Sequence, residues 1–257
     1  MVVRGGSGEA DSAGTPWQGR HFEDNLHSGD DGAAPEQLTE ALRRFRSGEL
    51  GQADVVDALR DCRLLIPLVA RLGELGQGGH GHAADKSAEL SVVTVSGPDG
   101  RTVMPAFSSV EAMRGWNAKA RPVPASAVRV ALAAASEDTD LVVLDPTAPT
   151  EFVVRRPALW ALAQSRPWVP SHLDEEVLAA FTASAALERD IASVALDSGD
   201  ADARLAGPEL IVRLGVVPGL DRSALDALLG RMQERWSISE LIGARVDSMA
   251  VKLESAD

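Results

Sequence analysis

An adjacent pair of arginines, Arg155-Arg156, is the first candidate for ligand chemistry in this chain. The pair follows a short apolar run that predicts a strand, and Pro157 behind it favours the start of a helix. A guanidinium binds a carboxylate through two parallel hydrogen bonds, and a helix N-terminus adds partial positive charge. This combination of residues predicts a site for a small anion such as an amino or keto acid.

Two further basic residues, Lys86 and Arg101, flank a predicted hairpin. They would join the arginine pair if the hairpin lies beside the strand that ends at Val154. The predicted ligand site therefore consists of Lys86, Arg101, Arg155 and Arg156. The alternative is that these residues form surface ion pairs, for example Arg155 with Glu151 and Lys86 with Asp85.

The single cysteine, Cys62, is the obvious nucleophile to consider. It heads the apolar run CRLLIPLVARL, which predicts a buried strand, and Asp61 precedes it. A reactive thiolate needs an electropositive and accessible position. We therefore expect a buried thiol without a catalytic role, and no catalytic residue is assigned.

Two histidines, His80 and His82, lie in the glycine-rich loop GELGQGGHGHAAD and could bind zinc together with Asp85. No Cys-x-x-Cys or His-Glu-x-x-His pattern supports such a site, and neither phosphate-binding glycine motif occurs between a predicted strand and a helix. We expect neither a metal nor a cofactor.

The helices and strands that must position these residues can be predicted from the spacing of apolar residues and from the prolines and glycines that end each segment. Predicted helices lie at 35–47, 53–60, 108–116, 125–136, 157–162, 173–187 and 221–235. Predicted strands lie at 62–72, 90–95, 102–104, 141–144, 152–154, 190–197, 209–216 and 246–253.

The segment DKSAELSVVTVSGPDGRTVMPAFSSVEAMRGW, residues 85–116, resembles the SseB N-terminal-domain family in its long actinobacterial form. The resemblance continues through ARPVPASAVRVALAAASEDTDLVVLDPTAPTEFVVRRPALWALAQ, and upstream through GTPWQGRHFEDN and ALRDCRLLIPLVARLGELGQGGHGHAADKSAEL, so it covers most of residues 14–165. The family name, enhanced serine sensitivity protein B, records a phenotype and no reaction. The resemblance implies a second, SseB-type domain in the C-terminal part.

The predicted fold class is α+β, with two similar small domains, each a mixed or mostly antiparallel sheet covered by helices. Residues 1–34 are expected to be a disordered tail and a docking arm that uses Trp17 and Phe22. Residues 35–165 form the SseB N-terminal-like domain, residues 166–171 a proline-stiffened linker, and residues 172–257 the SseB C-terminal-like domain.

The composition narrows the class of partner. The net charge is −13, and residues 166–257 alone carry nine basic and sixteen acidic residues. An acidic surface repels phosphate backbones, so we expect no nucleic-acid partner. No apolar run is long enough for a membrane helix, and the N-terminus lacks the apolar core of a secretory signal. With one cysteine, the expected location is the reducing cytoplasm.

The sequence favours a noncatalytic binding or regulatory protein that acts on an unknown protein or small-metabolite partner. Two alternatives stay open. One is an enzyme of unknown reaction that uses a cleft between the two domains, and the other is a purely structural interaction module. The oligomeric state does not follow from the sequence.

Overall fold

A computed structural model of the protein describes residues 30–71, 89–97, 99–136, 139 and 141–256. Residues Gly32–Asp257 form one compact unit. The α+β class is confirmed, while the division into two domains stays a prediction. The predicted tail and arm with Trp17 and Phe22, the loop histidines His80 and His82, and Lys86 lie outside the described residues.

Several helices begin at a residue whose side chain caps the first turn. Asp174 and Asp221 accept hydrogen bonds from the first turns of their helices, and Ser109 does the same for Ala112 N–H at 3.1 Å. The helices in the described residues are α1 Glu36–Arg46, α2 Gln52–Arg60, α3 Val110–Trp116, α4 Ala127–Ser136, α5 Arg156–Ala163, α6 Glu175–Ala185, α7 Arg222–Ser237 and α8 Glu240–Arg245, with a 3₁₀ turn at Ser171–Leu173.

The strands of the described residues form three sheets. The strands are β1 Arg63–Arg71, β2 Glu89–Val92, β3 Val95–Ser96, β4 Thr102–Ala106, β5 Arg121–Ser126, β6 Leu141–Leu144, β7 Phe152–Arg155, β8 Ile191–Ser198, β9 Leu210–Val216 and β10 Met249–Ser255. Two sheets, in the orders β2-β1-β5 and β3-β4-β6-β7, belong to the N-terminal part of the chain, which contains α1 to α5 and β1 to β7. The third, in the order β10-β9-β8, belongs to the C-terminal part, which contains α6 to α8 and β8 to β10.

The four-stranded sheet is apolar on both faces. Side chains of successive strand residues point to opposite faces of the sheet. A strand that is buried throughout, such as β6, therefore packs against other residues on both faces. One face, with Val142 and Val154, packs against the helices of the N-terminal part. The other face, with Val143 and Val153, packs against Leu205 from the loop after β8.

The predicted hairpin is confirmed only around its turn. Val95 pairs with Val103 across β3 and β4, and Gly100 takes a positive φ of 83° in the turn. The preceding strand of the prediction is divided, because β2 pairs with β1 in the other sheet. Strand β5 and helix α8 are elements that the sequence did not predict.

The C-terminal part is a three-stranded sheet with helices packed against it. Leu210, Val212 and Leu214 of β9 are fully buried against Phe181 of α6 and Trp236 of α7. The two rings meet edge to face at 5.1 Å between centroids. Strand β10 runs parallel to β9 and β8 runs antiparallel to it. None of the helices in the described residues combines the length and apolar character that spanning a bilayer would require.

Candidate functional site

The last residue of β7, Arg155, extends from the N-terminal part into the C-terminal part and is only 5% exposed. Its guanidinium donates to the Asp200 carboxylate at 2.7 Å and to Asp247 at 3.0 Å. It also donates to Ser248 Oγ at 3.2 Å and to the Gly207 carbonyl at 2.9 Å. Arg155 is therefore a buried link between the two parts of the chain, and Glu151 is not its partner.

Arg101 converges on the same carboxylate. Its Nη1 donates to both oxygens of Asp247 at 3.0 Å, and its Nε donates to Asp99 at 2.7 Å. Burial opposes the charge of Arg101, but the hydrogen bonds and charges of Asp99 and Asp247 outweigh it and raise the pKa of the guanidinium. The predicted convergence of Arg101 and Arg155 occurs, with a carboxylate of this chain between them.

Arg156 points elsewhere. It donates to the carbonyls of Gly243 at 2.9 Å and Val246 at 2.7 Å, and it stacks over the Trp160 ring at 5.0 Å from the centroid. Of the four predicted site residues, the structure brings together Arg101 and Arg155, places Arg156 apart, and does not describe Lys86.

A cleft of about 570 Å³ lies beside Arg101 and Asp247, between the hairpin turn and residues 205–208. Its carboxylates, Asp99 and Asp247, are held by arginines, and the Ser248 hydroxyl donates to Asp247 at 3.2 Å. Among the described residues that line it there is no imidazole to accept a proton from Ser248. These groups hold the two parts of the chain together.

The thiol of Cys62 is buried, as predicted, with 3% of the residue exposed. It donates to the Ala58 carbonyl at 2.9 Å and accepts from Gln37 Nε2 at 3.3 Å. Burial raises the pKa of the Cys62 thiol. Over the part of the chain that the structure describes, no three His, Cys, Asp or Glu side chains come together as metal ligands would.

The sequence did not single out a cavity of about 360 Å³ on the outer face of the four-stranded sheet. Its floor consists of strand residues that point away from the helical core, and Trp116 forms one wall with its ring 5.4 Å from that of Phe107. The lining residues are Val95, Ser96, Gly97, Val103, Pro105, Trp116, Val143, Pro146, Thr147, Glu151, Val153, Arg204 and Leu205. We call this cavity the sheet-face pocket.

One wall of the sheet-face pocket is the loop between β6 and β7, and a buried carboxylate fixes it. Asp145 accepts hydrogen bonds from Ser108 N–H at 2.7 Å, Ser108 Oγ at 2.6 Å and Thr150 Oγ1 at 2.9 Å. Asp145 and Thr147 both have positive φ, 46° and 68°. Positive φ is costly for a β-branched residue such as Thr147, so the surrounding contacts hold this loop in one shape.

Another wall, the loop after β8, is organised by Asp200. Besides Arg155, this carboxylate accepts from the backbone N–H of Leu205 at 2.9 Å and of Arg204 at 3.1 Å. These bonds place Leu205 on the apolar face of the sheet and Arg204 at the rim of the sheet-face pocket. The buried ion pair of Arg155 with Asp200 thus supports this wall of the pocket.

The rim of the sheet-face pocket carries one group of each charge. In the described part of the chain the guanidinium of Arg204 donates only to the Pro149 carbonyl, at 3.3 Å, and the Glu151 carboxylate accepts from Thr147 N–H at 2.7 Å. Within the described residues neither side chain forms an ion pair, in contrast to Arg101 and Arg155. The pocket therefore combines an apolar floor with a guanidinium and a carboxylate that are open to a ligand.

A sequence signal for the pocket existed in the two strands below it. Both LVVL and FVV are apolar at every position, which indicates strands with two covered faces. The helices of the N-terminal part account for one face only. The contributions of Arg204 and Leu205 had no sequence signal, because they come from a loop about fifty residues further along the chain.

Comparison with known proteins gives one family match. Residues 38–161 match the family model described as the SseB protein N-terminal domain. No curated protein and no solved structure matches the chain. The matched range contains the four-stranded sheet and most of the sheet-face pocket, and it ends before Arg204 and Leu205. It does not extend to the C-terminal part.

Proposed function

We propose that this chain, which belongs to the SseB family through residues 38–161, is a noncatalytic binding protein whose ligand occupies the sheet-face pocket. The observation that supports this proposal most directly is an apolar cavity with two unpaired charges of opposite sign at its rim, Glu151 and Arg204. Pockets for small molecules have this character, with an apolar lining and a few placed polar groups.

The chemistry of the rim specifies a class of ligand. A guanidinium binds a carboxylate and a carboxylate binds an ammonium group, so a molecule with both groups and a short apolar body fits the pocket. The cavity of about 360 Å³ lies at the small end of the roughly 300–1,000 Å³ range of ligand pockets. We propose a free amino acid or a similarly small zwitterion as ligand, and a cytoplasmic location, where such metabolites are abundant.

We also propose that the protein catalyses no reaction on this ligand, and the polar groups that line the pocket support this. The polar groups at the pocket are a carboxylate, a guanidinium and hydroxyls, and no described lining residue is a histidine, cysteine or lysine. General acid–base chemistry usually employs a group whose proton affinity lies near neutrality. The pocket is suited to holding a ligand and signalling its presence through the loops that form its walls.

Isothermal titration calorimetry with the twenty standard amino acids and their keto acids tests this proposal. Serine belongs to the panel because of the phenotype in the family name. Arg204→Gln should weaken binding of the best ligand by about tenfold or more, because it removes a charged hydrogen bond. Glu151→Gln should act likewise, and Arg222→Gln, a change at a fully exposed helix arginine, should leave the affinity unchanged.

Two other results would redirect the proposal. If Arg101→Gln abolishes binding and Arg204→Gln does not, the ligand occupies the predicted arginine site instead. If mass spectrometry finds a ligand converted to product during incubation with the protein, the enzyme alternative replaces the noncatalytic one. Failure of every panel member to bind would contradict the amino-acid class.

A further inference from the structure

Strand β10 forms an open edge of the C-terminal sheet. A hydrogen bond at each end of the strand shows which backbone groups face β9. At one end Leu210 N–H donates to the Ser248 carbonyl at 3.0 Å, and at the other Ala256 N–H donates to the Val216 carbonyl at 2.9 Å. Backbone groups alternate in direction along a strand, so the even-numbered residues between them also face β9. The backbone groups of Met249, Val251, Leu253 and Ser255 consequently point away from the sheet. Among the described residues no strand pairs with that side.

Apart from the charges of Lys252 and Glu254, this edge lacks the features that normally prevent pairing with another strand. Its seven residues keep one uninterrupted register with β9 and contain no proline or bulge. Met249 and Leu253 are 37% and 39% exposed. The opposite edge strand, β8, has an irregular register between Ile191 and Ser193, and the 3₁₀ turn contacts it. The two edges of the same sheet are therefore not equivalent.

The charges along β10 select a partner and a register. Lys252 and Glu254 lie on one face of the strand, 3.4 Å apart between Nζ and Oε1. If a second β10 pairs antiparallel with a twofold axis at Leu253, each Lys252 lies opposite Glu254 of the second copy. The outward backbone groups of Val251 then meet those of Ser255. A twofold axis at Lys252 would instead place two lysines opposite each other, which is unfavourable.

We propose that the protein forms a symmetric dimer in which β10 of one copy pairs antiparallel with β10 of another, with the twofold axis at Leu253. The two three-stranded sheets then become one continuous six-stranded sheet. The strand is self-complementary in charge and supplies outward backbone donors and acceptors on both sides of the axis. The dimer is independent of the sheet-face pocket, which lies on a different sheet.

Sedimentation velocity of the full chain over a concentration series tests the proposal. We expect the wild type to move from monomer to dimer as concentration rises. Val251→Pro removes an outward N–H without removing a bond to β9, and edge positions of this kind tolerate proline. It should therefore remain monomeric, with a circular dichroism spectrum like that of the wild type.

Charge variants provide a second test that does not depend on proline. Lys252→Glu should weaken the dimer about tenfold, because two symmetry-related contacts become repulsive. The exchange Lys252→Glu/Glu254→Lys should restore the wild-type dissociation constant. A wild type that stays monomeric at every concentration would overturn the proposal. So would a Val251→Pro protein that folds and still dimerises, or an exchange variant no better than Lys252→Glu.

Discussion

Arg155 and Asp200 form a buried ion pair across the two parts of the chain, with 2.7 Å between Nη2 and Oδ2 and exposed side-chain fractions of 5% and 2%. The pair joins the end of β7 to the loop after β8. Asp247, 1% exposed, completes the arrangement at 3.0 Å from Nη1. A charge this deeply placed is tolerated because two carboxylates and further acceptors surround it.

Removing the guanidinium should be strongly destabilising. Arg155→Met leaves the buried Asp200 carboxylate without a cationic partner and leaves Asp247 with Arg101 alone, and we expect the free energy of unfolding to fall by about 3–5 kcal/mol. Urea denaturation at neutral pH measures the change. Arg222→Met is the matched control, since Arg222 is 95% exposed, and it should shift stability by less than about 0.5 kcal/mol. Equal effects of the two variants would contradict the role of Arg155.

Glu188 should make stability depend on pH in the acid range. Hydrogen bonds from Arg231 and Arg235 lower the pKa of Glu188 from 4.5 to about 2. A lowered pKa in the folded state contributes stability that is present above pH 4.5 and is lost as the pH falls towards 2. The Glu188→Gln variant should therefore have a lower free energy of unfolding than the wild type at neutral pH. This difference should shrink as the pH falls from 4.5 towards 2.

The measurement is a series of denaturation curves between neutral pH and pH 2. Glu234→Gln serves as control, because Glu234 is exposed and forms no ion pair within the described residues. At neutral pH it should reduce stability less than Glu188→Gln does. A difference between Glu188→Gln and the wild type that stays constant with pH would show that the two arginines do not stabilise the ionised form of Glu188.

The Cys62 thiol should react slowly in the folded protein. Only 3% of the residue is exposed, and burial raises the pKa of the thiol, so both access and the thiolate fraction are reduced. A disulfide reagent such as Ellman's should label it quickly after unfolding in urea and slowly before. The result is unambiguous because the chain has a single cysteine. Native labelling as fast as that of a free thiol would contradict the burial.

Thr147 should be replaceable with a gain in stability. Its φ of 68° is unfavourable for a β-branched residue, and its side chain is exposed. Asparagine adopts this conformation more readily, so Thr147→Asn should raise the free energy of unfolding by up to about 1 kcal/mol. Thr182→Asn is the control, since Thr182 lies within α6 and should show no gain. A loss of stability at Thr147 would mean that its side chain matters more than its backbone.

The sequence was a good guide to elements with a clear apolar pattern and a poor one to strand β5. Residues Arg121–Ser126 include two prolines, which argue against a strand. In the structure Pro122 lies opposite Pro67 and Pro124 opposite Leu65. Leu65 directs its N–H to Phe107 instead, at 2.8 Å, so the prolines occupy positions from which β1 requires no hydrogen bond. Strand β5 is thus possible only because of its partner.

Prediction of the candidate site was also limited by contacts between residues that are distant in the sequence. The sequence predicted that Arg101 and Arg155 line a site for a small anionic ligand, and the structure places both arginines on a carboxylate of the chain itself. It could not identify that carboxylate as Asp247, which is 92 residues from Arg155, because spacing along the chain carries no information on such a contact. The sheet-face pocket was missed for a related reason, since one of its walls comes from the C-terminal part.

The buried position of Arg155 restricts how freely the matched segment can be moved between proteins. Residues 38–161 contain the guanidinium, whereas both of its carboxylates, at positions 200 and 247, belong to the remainder of the chain. A fusion or truncation that carries only the segment would expose a cation and an apolar sheet face that its own residues cannot cover. Relatives built from this segment alone are therefore expected to have a neutral residue where this chain has Arg155, or a local acidic substitute.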